Sequence, residues 1–479
     1  MVYKKVFLLT PPYRGTRVKG VFSAGLGYIA ESLKNAGIEY EVCNMSLGYD
    51  YKYLKMKIDR FAPGLIGISM MTYRYKQTYE LIRSLKKDYP KIRIVVGGPH
   101  ISLFRKEVLE ACPEIDFGIT LEGEETIVEL CSGTAAGSIK GLIYQGEKGV
   151  IYNGDREFIN PLDKIAFPQY EKFEMERIFN KEINSVPIVS SRGCPFACVY
   201  CPVKFSVGCD FRVRSPESII AELKYWHQKG YRRFSFADDN FTLKKQRIVD
   251  LCEALRKNNL NDLKLSCDNG IRADKVDKDL LKLMRDVGFY RIAFGVEAGN
   301  NKILKQLKKS ENIETITARI QEACDLGYEM DLFFLVGSPG ETWEDLQDSF
   351  SIALKYPIGT AYFYNIIPFP HTELFDWIKE NGRFLKEPEN YLDDYPILDN
   401  VPLFETPEMP LKMRKKAIKK AFSITRLTMY RAWTKRLEKL GGLGKILAFI
   451  YTREFVQDVI LRNEITRKIV YRLAWLFIK

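Results

Sequence analysis

The sequence predicts an α/β protein. An N-terminal doubly wound, Rossmann-like parallel sheet is followed by a partial (β/α)6 barrel and then a mainly α-helical C-terminal region. Three observations carry this reading. Short apolar strands alternate with helical stretches over the first 130 or so residues, the pattern of a parallel sheet covered on both faces. The alternation resumes with longer units from Pro187 and stops beyond Gly382. From there Pro388–Pro410 is proline-bearing and strand-poor, and cation-rich, helix-forming sequence runs on to Lys479. The expected divisions are 1–135 for the sheet, 136–184 for a linker or strap, 185–385 for the barrel and 386–479 for the basic helical region. A length of 479 residues suits about three domains.

Taken in order, Lys5–Leu9 reads as a strand ending at Thr10-Pro11-Pro12, and a helix from about Ser23 to Ala36 is closed by Gly37. Glu39–Asn44, Leu65–Met70 and Ile92–Val96 read as further strands, with a helix over Thr78–Lys87. Ligands of such sheets sit at the strands' carboxyl ends, here Thr10–Tyr13, Ser69–Thr72, Gly97–His100 and Leu121–Glu124. In the strap, Gly141–Tyr144 and Gly149–Tyr152 are strand fragments. The barrel strands are Pro187–Ser190, Arg233–Ala237, Lys264–Cys267, Arg291–Val296, Asp331–Val336 and Ala361–Ile367, with helices such as Pro216–Gln228 and Leu280–Val287 between them. Barrel chemistry lives on the loops after strands.

Hydrophobic content of 46% and charged content of 28% allow a sizeable core. No charged-then-apolar leader and no apolar run of membrane-spanning length is seen, so a cytoplasmic protein is expected. Ten cysteines in that setting read as thiols or metal ligands, not disulfides. Cys43, Cys112, Cys131, Cys209, Cys252, Cys267 and Cys324 are scattered singly and read as small buried hydrophobes.

The other three lie in Ser191-Arg192-Gly193-Cys194-Pro195-Phe196-Ala197-Cys198-Val199-Tyr200-Cys201, a C-x3-C-x2-C motif just after the first barrel strand. Thiolates are the usual ligands of iron–sulfur clusters, and a cubane takes four. Three close ligands hold three irons and leave one open. A structural zinc site would want a fourth Cys or His; Cys209 lies eight residues on, and the histidines are His100, His227 and His371.

This motif resembles that of the radical S-adenosylmethionine superfamily over about residues 185–385. The resemblance implies a [4Fe–4S] cluster on Cys194, Cys198 and Cys201, with the open iron chelated by the cofactor's amino and carboxylate groups and a 5′-deoxyadenosyl radical made on reduction. Phe236-Ala237-Asp238-Asp239-Asn240-Phe241 is similar to the acidic segment that receives the cofactor's ammonium, through Asp238 or Asp239. Gly295-Val296-Glu297-Ala298 resembles the ribose and carboxylate segment, with Ala298 where the family has Ser. Phe334-Leu335-Val336-Gly337-Ser338-Pro339-Gly340-Glu341 resembles the segment against adenine, and Gly337 is its expected contact. Arg272 is a candidate partner of the cofactor carboxylate, and Tyr200 stands where an aromatic often lies beside adenine.

Ahead of the barrel, Thr10-Pro11-Pro12, Leu26-Gly27-Tyr28-Ile29-Ala30, Gly97-Gly98-Pro99-His100 and Glu122-Gly123-Glu124-Glu125 are similar to segments of the cobalamin-binding subclass. That subclass includes anaerobic magnesium-protoporphyrin ester cyclases, hopanoid methylases and phosphinate methylases. The resemblance implies cobalamin contacts at Thr10, Pro11, Gly27, Ser69, Gly97, Gly98, His100, Glu122, Gly123 and Glu124. The Asp-x-His-x-x-Gly motif with its cobalt-ligating His is absent, so the sequence supplies no cobalt ligand, and His100 reads as a loop histidine near the corrin edge or a structural one.

The resulting expectation is a methyltransferase that acts on an unactivated carbon or phosphorus centre of an apolar or lipid-like substrate. A radical cyclase or oxidoreductase, and an enzyme acting on RNA without cobalamin, stand as alternatives. An electron donor such as flavodoxin or ferredoxin is implied. Net charge is +12, and residues 411–479 hold 18 Lys and Arg against 4 Asp and Glu. With Ile446, Leu447, Phe449, Ile450, Phe455, Val456, Ile460, Leu461 and the apolar stretch Ile469–Lys479, that tail reads as amphipathic helix suited to an anionic membrane surface. A helical cap on the barrel with a solvated cationic face is its rival. Nucleic-acid binding is disfavoured because no RNA-binding module accompanies it.

Overall fold

The computed structural model describes residues 2–13, 22–179, 184–394, 401–453 and 456. The expected tail segments beyond Arg453, Val456 apart, lie outside these residues. Two compact units are present: residues 1–195, 202–233 and 392–395 form the first, and 196–201, 234–391 and 396–479 the second.

In the first unit, β1 (Lys5–Thr10), β2 (Glu39–Asn44), β3 (Leu65–Ser69), β4 (Arg93–Gly97) and β5 (Phe117–Ile119) stand in the order β2-β1-β3-β4-β5, and all four pairings are parallel. Strands buried on both faces need near-continuous apolar runs, and β1 shows one: Val6, Phe7, Leu8 and Leu9 are all buried. Helices Ala24–Asn35, Tyr51–Phe61, Tyr75–Asp88, Pro99–Phe104, Lys106–Ala111 and Glu124–Ser132 complete the alternation.

The expected strap turns out to be partly sheet. β6 (Leu142–Gly146) pairs antiparallel with β5, and β7 (Gly149–Tyr152) with β6. The hairpin therefore extends the sheet edge, driven by the complete burial of Leu142 and Ile143. The chain beyond the hairpin packs on the Ala24–Asn35 helix: Ile159, Leu162 and Ile165 cluster with Tyr28.

β8 (Val186–Ile188) is the strand that opens the barrel series in the chain. β9 (Ser191–Arg192) and β10 (Arg212–Val213) form a short antiparallel pair around the cysteine segment. In the second unit β11 (Arg233–Phe236), β12 (Lys264–Ile271), β13 (Phe289–Glu297), β14 (Glu329–Val336) and β15 (Thr360–Asn365) are neighbours in chain order, and the pairings from β12 to β15 are parallel. Their connecting helices start at recognisable caps. Ser215 caps Pro216–Gln228 with Pro at the first turn, and Thr342 and Asp345 form a capping box on Trp343–Lys355. After the repeats, the helix Leu411–Arg436 packs on β15 and on Trp343–Lys355, and a shorter one spans Gly441–Tyr451.

Candidate functional site

Gly193 lets the chain turn into the cysteine loop. Its φ is +91°, and a Cβ there would sit 2.1 Å from the carbonyl oxygen of Asp210, so no other residue fits. Cys194 N donates to Gly208 O at 3.3 Å, Cys201 N to Cys198 O at 3.1 Å, and Val199 N to Leu307 O at 3.2 Å. Cys194, Cys198 and Cys201 are all partly exposed, whereas Cys43, Cys112, Cys131, Cys252 and Cys267 are buried. Burial pushes the thiols of Cys43, Cys112, Cys131 and Cys252 up to about 12, so they stay protonated and inert. Cys324 is half-buried and Cys209 is exposed; neither is the fully buried hydrophobe the sequence suggests. Among the described residues no three His, Cys, Asp or Glu side chains are already gathered as a metal cage. The donor set nonetheless fits an iron–sulfur cluster: three accessible thiols within eight residues.

Arg192, at the entrance to this loop, is clamped. Its guanidinium reaches Glu122 at 2.8 Å and Glu124 at 2.6 Å and lies over the Tyr28 ring. Arg212 adds a 2.6 Å pair to Glu122, which also accepts from Ile159 N. Burial opposes the charge of Glu122, but the two arginines outweigh it and hold its carboxyl below the usual range. Glu122 and Glu124, expected at cobalamin, thus hold the strand before the cysteines.

At the barrel strands' carboxyl ends, Asp238 is buried and lies 3.5 Å from Arg247. Asp239 reaches solvent, yet surrounding protein and the neighbouring Asp238 charge push its carboxyl up to about 6. Glu297 is buried in a left-handed conformation with φ +62°, at a register shift that ends the β13–β14 pairing. It pairs with Lys309 at 3.0 Å and accepts a hydrogen bond from Tyr200. Burial and the Glu297 carboxylate push the Tyr200 phenol upward.

Lys309 was not legible in the sequence, where Lys308-Lys309 looks like a solvated charge run. Its ammonium is buried and also lies 3.5 Å from Glu311. Burial opposes its charge, but Glu297 and Glu311 outweigh this and raise its pKa, with Cys198 contributing in the same sense. Arg272 donates to Asp274, Lys309 O and Ser310 O and stacks 3.6 Å over Phe196 of the cysteine loop. Its donors hold the Lys309–Ser310 backbone, while the flat face of the guanidinium rests on the loop. Gly337 has φ +98° and sits in a turn held by Glu341, whose Oε2 accepts from Gly337 N at 2.6 Å.

On the first sheet, Thr10, Ser69 and Gly97 end adjacent strands, and Ser69 and Gly97 are register partners. Pro11 and Gly98 follow them. Ser69 Oγ is 3.4 Å from Ser23 Oγ, at the cap of the helix bearing Gly27. Gly27 faces the Tyr170 ring, and Gly123 precedes the Glu124–Ser132 helix. His100 is 4% exposed. It stacks on Tyr75 at 4.7 Å and touches Phe104, its Nε2 lies 3.4 Å from Tyr79 Oη, and its Nδ1 has no partner among the described residues. Burial depresses its pKa to about 3, so it is a neutral aromatic of the core. The strand-end trio, one edge of small and hydroxyl side chains, fits a broad planar corrin better than it fits a metal ligand.

Comparison with known proteins agrees with this geometry. A family model described as "Radical SAM superfamily" matches residues 188–353, and one described as "B12 binding domain" matches 13–131. An uncharacterized methyltransferase of Pyrococcus horikoshii is 27% identical, over 80% of this chain and 85% of the relative. Cytidylyl-2-hydroxyethylphosphonate methyltransferase of Streptomyces wedmorensis is 25% identical, over 78% and 81%. The radical S-adenosylmethionine methyltransferase TsrM of Kitasatospora setae, solved with tryptophan and an analogue of the cofactor, shares the fold. Its TM-score is 0.74 at 17% identity, covering 98% of this chain and 100% of that one.

Proposed function

Because the chain joins a B12-binding domain to a radical SAM domain and belongs with the cobalamin-dependent radical S-adenosylmethionine methyltransferases, we propose that it methylates an unactivated carbon or phosphorus centre of an apolar, lipid-like molecule. The observation that carries the reading is the cysteine loop: three accessible thiols beyond an arginine clamped to Glu122 and Glu124. When bound, the cluster supplies the electron that cleaves S-adenosylmethionine, and cobalamin supplies the methyl group.

The residues have distinct tasks. Cys194, Cys198 and Cys201 hold iron. Asp239, with a carboxyl near 6, is largely ionised at neutral pH and suits a cofactor ammonium. Glu297 is the partner for the ribose hydroxyls and Tyr200 the aromatic beside adenine, and Lys309 keeps the Glu297 charge tolerable in a buried place. Gly337 presents backbone to the adenine. Thr10, Pro11, Ser69, Gly97 and Gly98 form the corrin-facing edge, with a low-potential flavodoxin or ferredoxin as electron donor.

The apolar substrate reading is supported by Leu443, Ile446, Leu447, Phe449 and Ile450, which are exposed together on the helix Gly441–Tyr451, and by the cationic tail. A peripheral contact with an anionic membrane suits both. No helix among the described residues is long and apolar enough to cross a membrane.

The test is anaerobic reconstitution with cobalamin, reductant and methyl-labelled S-adenosylmethionine, offered a lipid extract. Labelled, methylated lipid supports the proposal. An unlabelled product that has lost hydrogen points to the cyclase or oxidoreductase reading, and a Cys198→Ala control should abolish either.

A further inference from the structure

The helix Leu411–Arg436 follows the strand–helix repeats and packs on them, and its Arg414 reaches into the turn after β14. Arg414 is 0% exposed, and its guanidinium fills the space in which a side chain on Gly337 would begin. A Cβ there would meet Nη2 at 1.8 Å, and the φ of +98° at Gly337 disfavours one in any case. Nη2 donates to Val336 O and to Asn365 Oδ1, both at 3.4 Å, and the guanidinium lies 3.9 Å over the Phe404 ring. Among the described residues, Nε and Nη1 have no partner.

The turn it presses on carries the same deficit. Glu341 is buried; its Oε2 accepts from Gly337 N at 2.6 Å and from Ser338 N at 3.3 Å. Among the described residues its Oε1 is unpartnered, as is Ser338 Oγ. Four buried polar atoms without partners around one short turn is a concentration that native proteins rarely keep without a reason. Burying an arginine here is costly: burial depresses the guanidinium pKa to about 10, and the nearby Glu341 offsets this only in part because burial also pushes its carboxyl up to about 8. A structure whose only need was to attach a helix would use an aliphatic side chain at this position, which removes the buried guanidinium and its two unpartnered nitrogens.

We infer that Arg414 is a positioning residue for S-adenosylmethionine. Wedged against Gly337 and tied to Val336 O and Asn365 Oδ1, it holds the Gly337–Ser338 backbone in the one conformation that accepts the adenine, so the cofactor site needs a residue from outside the barrel repeats. This rests on Gly337 being the adenine segment, and the experiment separates the two statements. Full-length protein, reconstituted anaerobically with cluster and cobalamin, is titrated with S-adenosylmethionine by calorimetry, alongside Arg414→Met and Arg414→Ala. Wild type should bind; if it does not, the assignment of the segment fails, and the inference with it.

Given wild-type binding, Arg414→Met should keep its cluster absorbance, bound corrin and melting temperature close to wild type while its affinity for S-adenosylmethionine falls roughly tenfold. Arg414→Ala should fall likewise, and free guanidinium ion at millimolar concentration should restore most of the loss. A purely structural role would not produce that rescue, because guanidinium otherwise only destabilises. Arg414→Met binding within about twofold of wild type, or lost affinity in Arg414→Ala that guanidinium does not recover, would overturn the inference.

Discussion

Glu297 combines burial, a left-handed backbone and a single close cation. Non-glycine residues in that conformation cost about 1–3 kcal/mol and persist where the surroundings over-determine them. Lys309 is the surrounding that matters. Lys309→Met should therefore destabilise the protein by about 3–5 kcal/mol, because it leaves a buried carboxylate without its counter-charge. Adding Glu297→Gln should recover much of that loss, both read by urea denaturation. At His100 the prediction concerns pH. Its pKa is depressed to about 3 by burial, below the ordinary imidazole value of about 6.5. The stability it contributes is complete above pH ~6.5 and is lost progressively as pH falls towards 3. His100→Phe, which suits the cage of Tyr75, Tyr79 and Phe104, should flatten the melting temperature across that window and leave neutral pH little changed. These residues mark the limit of reading a sequence. The three cysteines declare themselves by spacing, but Lys309 and Arg414 sit in lysine-rich runs. Only tertiary packing distinguishes a buried cation there from a solvated one.

At the scale of elements, legibility tracks apolar continuity. The runs Val6–Leu9, Leu65–Ile68 and Ile94–Val96 announce buried parallel strands. The β6–β7 hairpin is legible only as strand fragments: with three apolar residues in each strand around Gly-Glu-Lys-Gly, it reads as a connection until the edge of β5 is seen to take it as a partner. The close approach of the Ala24–Asn35 helix to the segment after the hairpin is likewise invisible in sequence, although Gly27 stands out there for its motif. A Cβ on Gly27 would stand 2.0 Å from the Tyr170 ring. Gly27→Ala should cost about 1–3 kcal/mol by overpacking, measured by thermal unfolding, whether or not cobalamin is bound. Arg192→Met should be worse. It removes the cation shared by Glu122 and Glu124, with a loss of about 3–5 kcal/mol. It should also shrink the acid-side loss of stability, because the depressed Glu122 carboxyl contributes only above its unfolded pKa and that contribution fades as pH falls.

For the whole molecule, charge and apolar exposure converge on the C-terminal region. Replacing Ile446, Phe449 and Ile450 together by Ser in the full-length chain should abolish flotation with anionic vesicles and leave unfolding unchanged, since these side chains are exposed. At 1 M salt, where the screening length is only about 3 Å, the wild type should float less. Equal flotation of both proteins would end the membrane reading. A truncation at 410 is the wrong instrument, because the helix it removes buries Arg414, Ala417, Ile418, Ala421 and Ile424.

The interleaving of the chain has a practical corollary for anyone wishing to harvest the corrin module alone. Pro202–Arg233 belongs to the first unit and brings Arg212 to Glu122 and Trp226 to Tyr170. A gene fragment that stops at the conventional linker, before the cysteines, would amputate both arginines that neutralise Glu122 and half of an aromatic cluster. A graft that splices Val186–Arg233 back on, with Cys194, Cys198 and Cys201 replaced by serine, should yield the well-behaved recombinant piece that the shorter cut would not.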